Sequence, residues 1–416
     1  MTNDRLVLTN ANVIDCVAAR PIVGGSVVIE RGRIGEVLDG SRSPDTRNAD
    51  VIDLEGMYLL PGLWDVHIHP DYLAATGASA VDQTIAFGHR LMEALTEAGV
   101  VAVRCAGAAH FMDVAWKRAF DAGHYVGPRV FAAGHFLTTT GGHFLTSGHA
   151  LECDGPYGFV RAIREQIKNG VDHIKLNLTG GIMGPSWDRH WHSFLLDEEL
   201  EAAFEICRAR DFRVMAHATN PAAVKAAVRL GAHSVEHGYI MDAECVEQLR
   251  ESNTWYVPTL AISHLTPDQA SDPWEKRWVE QRDLSADLCE RADQAAGEHR
   301  EWFRRALGAG VRMALGSDIR PLKEAALLEL GLWVKDGATP RQALLAATRD
   351  AAELCGVGAT LGTIEPGKLA DLIVVAADPL EDITSLRKLR LVFKEGRLVA
   401  DHRTREKQAR KMTSPH

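Results

Sequence analysis

The chain reads as an α/β protein, a (β/α)8 TIM-type barrel with a small β-sandwich domain formed by both termini. Three observations predict it. Apolar strand candidates alternate with amphipathic helix candidates through the middle of the 416-residue chain. Both ends carry short, alternating strand candidates instead. Histidine, lysine and aspartate recur at the ends of the central strands, where such barrels place their chemistry.

In chain order, Arg5–Ile14, Ser26–Glu30 and Val51–Leu54 are short strands separated by Gly- and Asp-containing turns. Leu369–Ala376 and Leu391–Val399 have the same texture. We therefore assign residues 1–59 plus 363–402 to the small domain, 60–362 to the barrel and 403–416 to a basic, solvated tail. The barrel strands are expected at Gly62–His69, Val100–Ala106, Arg129–Gly134, His173–Leu178, Arg213–Ala218, Ser234–Tyr239, Trp255–Leu260 and Val311–Ser317. Helical spacing lies between them, as in Thr84–Ala98, Asp197–Arg210 and Pro221–Leu230. Two inserts interrupt the pattern. One is the Gly/Thr/His loop Thr138–His149. The other is the polar stretch His264–Arg305, which reads as surface-lying helix and either walls the pocket or is a solvated helix pair.

Composition excludes several function classes. A net charge of −10 and a pI near 6.0, with no Lys/Arg block, argue against nucleic acid. No apolar run approaches the ~20 residues of a membrane span. The first residues lack a signal-peptide layout, so the expected compartment is the cytoplasm. Seven cysteines, scattered and without a Cys-x-x-Cys pair, argue against a disulfide framework or a thiolate zinc site. The expected partner is a small-molecule substrate.

The chemistry starts in Leu60-Pro-Gly-Leu-Trp-Asp-Val-His-Ile-His-Pro70. His67 and His69 alternate with Ile68, so a strand puts both imidazoles on one face, half of a metal site. Later strand ends add Lys175, His217, His237 and Asp318. Each alone has a structural explanation, such as a core histidine satisfied by a carbonyl or a helix-capping aspartate. Together they converge on one barrel mouth. The loop Gly184–Phe194 carries Trp187, Arg189, His190 and Trp191, which read either as a substrate clamp or as a self-packed loop.

These residues, with Pro61–His69 at the start and Gly362-Thr-Ile-Glu-Pro-Gly-Lys-Leu-Ala-Asp-Leu-Ile-Val near the end, resemble the metal-dependent amidohydrolase superfamily over nearly the whole chain. The Gly141-Gly-His143 loop, the Ile174–Gly181 segment and His237-Gly-Tyr239 are most similar to its prolidase-like, carboxypeptidase-like and ochratoxin-amidase-like members. The resemblance implies two divalent metal ions, usually Zn2+. His67, His69 and Asp318 would hold the more buried ion, His217 and His237 the outer one, and a CO2-carboxylated Lys175 would bridge them. It further implies hydrolysis of an amide in an N-acyl amino acid, dipeptide or aromatic amide, by a metal-bridging hydroxide with Asp318 as proton shuttle. His143 would polarise the carbonyl and Tyr239 would bond substrate. Relatives are commonly homo-oligomers. Two rival chemistries remain: a mononuclear deaminase of heterocyclic amines, and hydrolysis of lactones, carbamates or organophosphate esters on the same site. The deaminase pattern would place an acid after His217, where Ala218-Thr-Asn stands.

Overall fold

The computed structural model describes residues 4–70, 76–145, 148–282 and 284–403, so nearly all of the expected tail lies outside the described residues. Five strands open the chain: β1 (Arg5–Val13), β2 (Ile22–Glu30), β3 (Arg33–Leu38), β4 (Asp50–Asp53) and β5 (Tyr58–Pro61). Three close it: β15 (Leu372–Val375), β16 (Leu389–Lys394) and β17 (Arg397–Asp401). All eight join one sheet, ordered β17-β16-β15-β5-β1-β2-β3, with β4 beside β1. The seam between the two ends of the chain is antiparallel, with Leu372 opposite Pro61 and Val375 opposite Tyr58. One face buries Leu8, Val27, Ile29, Leu59, Val374 and Phe393, the apolar half of the strand alternation.

The central elements follow the expected order. They are β6 (Leu63–Ile68), α1 (Ala80–Ala98), β7 (Val100–Cys105), α2 (Met112–Asp121), β8 (Arg129–Phe131), β9 (Phe136–Thr138), β10 (Ala150–Glu152), α3 (Gly155–Asn169), β11 (His173–Asn177), α4 (Asp197–Ala209), β12 (Arg213–Ala218), α5 (Pro221–Leu230), β13 (Ser234–His237), α6 (Ala243–Glu251), β14 (Trp255–Val257), α7 (Leu260–His264), α8 (Pro273–Glu280), α9 (Ala286–Ala309), α10 (Leu322–Lys335), α11 (Pro340–Ala346) and α12 (Arg349–Leu354). Helix α1 begins four residues ahead of expectation. There Ser79 and Asp82 form a reciprocal capping box, a stronger start signal than the apolar spacing. Strands β6-β7-β8 and β10-β9-β11-β12-β13-β14 form two parallel sheets, buried on both faces as crossover helices require.

The expected eighth strand, Val311–Ser317, is not a regular strand. It bridges Tyr256 at Met313. On the other side the Val66 amide donates to Leu315 O at 2.9 Å, and the Asp318 amide donates to His67 O at 2.8 Å. Gly316 explains the tightness, since a Cβ there would stand 2.6 Å from both His67 Cβ and Val257 Cγ1.

Of the two readings of the 264–305 insert, the structure supports a pocket wall over a solvated helix pair: α9 buries Ala295, Ala296, His299 and Phe303, Ala292 and Ala295 pack on Ile182 and Tyr239, and Arg282 lines the cavity. Most charges of α9 lie on the opposite helix face, while Arg291 is buried and paired with Asp287 at 2.6 Å, so the polar composition concealed an amphipathic element. All seven cysteines are free. No helix among the described residues is long and apolar enough to cross a membrane.

Candidate metal centre and active site

His67 is the penultimate residue of β6 and His69 follows the strand, Lys175 is central in β11, His217 lies in β12, His237 ends β13, and Asp318 follows the 311–317 segment. All six line one cavity of about 530 Å3. His237 (φ 71°) and Asp318 (φ 55°) adopt left-handed backbone, strain that typically collects at functional sites.

His67, His69 and Asp318 each offer a ligand atom, all within 4.8 Å of one another. Asp318 Oδ1 lies 3.8 Å from His67 Nε2 and 3.5 Å from His69 Nε2, too long for hydrogen bonds. Two atoms bound about 2.1 Å from a tetrahedral ion stand roughly 3.4 Å apart, so this spacing suits ligands around a common ion. His67 Nε2 is also buried without a hydrogen-bond partner. The donor set fits a divalent cation.

Each of the four cavity histidines commits one ring N–H elsewhere, which fixes its tautomer and leaves the other nitrogen as a donor of electrons. His67 Nδ1 donates to Glu236 Oε2 at 2.7 Å, and His69 Nδ1 to Gly107 O at 2.9 Å. His217 Nε2 donates to Gly180 O at 2.9 Å, and His237 Nδ1 to Thr259 Oγ1 at 2.7 Å. Burial and the neighbouring Lys175 and histidines hold all four imidazoles well below their ordinary pKa, hence neutral and able to ligate.

The carboxylates behind this layer were not singled out from the sequence. Glu236 is fully buried and also accepts from Arg104 Nη2 at 3.0 Å and from the Ser234 hydroxyl. Asp65 accepts from the Ser317 amide at 3.0 Å and the His67 amide at 3.2 Å, tying β6 to the segment that delivers Asp318. A carboxylate directly beside His237 in an apolar strand was a readable signal, because an acid is rarely buried unless it is paired. Burial pulls the Lys175 ammonium below its ordinary pKa, with Glu236 and Asp318 opposing, and burial raises Asp318.

His143 lines the cavity, donates Nδ1–H to Asp188 Oδ2 at 2.7 Å and stacks on His217 with centroids 4.4 Å apart. Burial pushes Asp188 up, but that bond and those from the Phe144 and Gly181 amides outweigh it and keep the carboxylate below its ordinary pKa. Tyr239 also lines the cavity, with His237 at 5.3 Å and His299 at 5.0 Å between ring centroids.

The aromatic loop lies elsewhere. Trp187, Arg189, His190 and Trp191 are not among the residues lining the cavity. Trp187 and Trp191 are about half exposed, Arg189 lies 5.9 Å over Trp191, and buried His190 sits edge-on to Tyr239 at 6.1 Å. What this loop brings to the site is Asp188. The turn that buries Asp188 rotates its neighbours outward, which no spacing argument could reveal. Among the described residues the guanidinium groups lining the cavity are instead those of Arg282 and Arg320, and its apolar lining includes Phe136, Phe144, Met183 and Ile262.

Comparison with known proteins identifies the family. The sequence profile described as "Amidohydrolase family" matches residues 58–399. The ochratoxinase of Aspergillus niger is 30% identical over 379 residues, covering 82% of this chain and 75% of the relative. A solved Xaa-Pro dipeptidase with bound methionine in its active site superposes with a TM-score of 0.83 at 27% identity, over 95% of this chain and 99% of the other. A prolidase complexed with N-methylphosphonate-L-proline has a TM-score of 0.83 at 28% identity, over 96% of this chain and 100% of the other. The chain belongs to the amidohydrolase family and is an amide-bond hydrolase.

Proposed function

We propose that the protein is a binuclear metal-dependent hydrolase that cleaves an amide in an N-acyl amino acid, a dipeptide or an aromatic amide. The observation that carries this reading is the buried His67 Nε2, without a hydrogen-bond partner and set among His69 and Asp318 at ligand spacing. On this reading His67, His69 and Asp318 would hold the inner ion and His217 and His237 the outer one, with zinc in both. Lys175, once carboxylated by CO2, would be the shared ligand. Burial already disfavours its ammonium, and between two cations an anionic carbamate is the compatible form. The architecture that goes with it is a (β/α)8 barrel closed by the 311–318 segment. Backbone bonds from that segment to Tyr256 and from Val66 to Leu315 support closure. The terminal sheet would fold over as the small sandwich, supported by the Ile34 amide bonding Lys368 O at 2.8 Å.

Bound divalent ions would lower the pKa of water and polarise the scissile carbonyl. Asp318 then takes the proton from the attacking water and passes it to the leaving nitrogen. His143, oriented by Asp188, stabilises the carbonyl oxygen as charge develops. Tyr239 donates its phenolic O–H to the substrate, since burial keeps it protonated.

Elemental mass spectrometry on protein purified without chelators tests the centre. About two ions per chain, lost together in Lys175→Ala, is the expected result. One ion, indifferent to Lys175, would overturn it.

A further inference from the structure

We infer that Arg282 and Arg320 form a carboxylate-recognition pair on the wall of the active-site cavity, so that the enzyme selects amides bearing a free carboxylate over neutral ones. This rests on the hydrolase reading above and narrows its substrate class.

Both arginines line the cavity that contains the metal-site residues, yet they reach it from different parts of the chain. Arg320 follows Asp318 by two residues, and Arg282 follows α8 in the 264–305 insert. Trp278 of α8 connects them. Its indole N–H donates to Arg320 O at 2.8 Å, and the Arg282 guanidinium lies 4.4 Å over its ring. Trp278 is only 1% exposed, so the platform is held by packing on all sides. A guanidinium stacked on an immobile indole has lost most of its rotamer freedom before a ligand arrives, which reduces the ordering cost of binding.

The chemistry of the pair matches a carboxylate. A guanidinium presents its N–H donors in a planar fork and can hold a protein neighbour while still offering donors to a ligand. Phe144, Met183 and Ile262, which line the same cavity, provide apolar contact for the remainder of the molecule. The combination fits an amphipathic amide with one anionic end, such as an N-acylated apolar amino acid, better than an uncharged amide, urea or carbamate.

The test compares matched pairs on the metal-replete protein. N-acetyl-L-phenylalanine and N-acetyl-L-phenylalaninamide share one scissile acetamide but differ in the carboxylate. N-phenylsuccinamic acid and N-phenylsuccinamide repeat the comparison with the carboxylate on the acyl side. Wild type should favour the acid in at least one pair by about 10- to 100-fold in kcat/KM, the range for a charge-assisted bond in a desolvated site. In Arg282→Gln and Arg320→Gln the KM for the acid should rise about tenfold or more while the neutral partner changes little, with partial rescue by Arg282→Lys and Arg320→Lys. Equal rates on acid and amide in wild type, or equal loss on both in the variants, would overturn the pair. Calorimetric binding of L-phenylalanine against L-phenylalaninamide decides the same question without turnover. Tighter binding of the acid, abolished in the double Gln variant, supports the pair; no difference refutes it. Protein that binds no metal and hydrolyses nothing would instead remove the hydrolase reading, and the calorimetry would still judge the arginines.

Discussion

Glu236 stands directly behind His67, its Oε2 accepting the Nδ1–H at 2.7 Å with both side chains fully buried. The same carboxylate takes Arg104 on its other oxygen at 3.0 Å. One acid therefore fixes the tautomer of a candidate metal ligand and compensates a buried cation.

Glu236→Gln keeps the shape but removes the charge. We predict about a 10- to 100-fold loss of metal affinity, as for other carboxylates behind ligating histidines. Stability should also fall by about 3–5 kcal/mol, because Arg104 is left buried and uncompensated. Chelator competition and urea unfolding measure the two effects. Wild-type metal retention would show that Glu236 does not orient His67.

Asp318→Asn should lower kcat by about 100- to 10,000-fold, the range for loss of a positioned proton-transfer group. Asp318 is also a proposed ligand, so the rate must be compared at equal measured metal content. A near-wild-type kcat in the metal-loaded variant would remove Asp318 from proton transfer.

Gly181 lies against the His143 ring, and a Cβ there would sit 2.3 Å from His143 Cε1. Gly181→Ala must displace the imidazole and break its bond to Asp188. The expected cost is about tenfold or more in kcat/KM, since an ångström of misplacement is enough for such losses. A thermal midpoint close to wild type should accompany it. The informative comparison is the same substitution in a His143→Ala background. A further loss of equal size there would mean that Gly181 acts by another route.

Burial holds the imidazole of His173 down at about 3 and that of His233 at about 4. Their N–H groups are committed to Cys105 O at 2.8 Å and Leu354 O at 2.7 Å. Both folded values are depressed. Below the unfolded value of about 6.5 the unfolded chain therefore takes up protons that the native state refuses. Stability should be full above pH ~6.5 and fall as the pH drops toward 4. Urea unfolding across that range should show a shallower fall for His233→Gln than for wild type, by about one proton in slope. Parallel curves would assign the acid sensitivity elsewhere.

The legible part of the site came from periodicity. A strand displays every second residue on one face, so His67 with His69, and single histidines at later strand ends, converge once the strands are parallel neighbours. Lys175 was readable as a cation amid apolar neighbours. The loops were not readable in this way. Trp187, Arg189 and Trp191 read equally as a clamp or as a self-packed loop, and the guanidinium groups lining the cavity among the described residues are those of Arg282 and Arg320. Asp188, between two of the conspicuous residues, is the member of that loop that bonds His143.

By itself the sequence determined the order of most strands and helices, the pairing of the two ends into one sheet, and the strand residues His67, Lys175, His217 and His237 that share one cavity. All of these follow from local alternation and chain order, which survive without knowledge of any partner. Tertiary structure alone decided that α9 packs on Tyr239, that Trp278 joins Arg282 to Arg320, and that Glu236 backs His67. The Trp278–Arg320 and Glu236–His67 bonds span 42 and 169 positions. Only the folded packing of elements determines such separations, because nothing in the local chain encodes which distant side chain will fill the space beside a buried group.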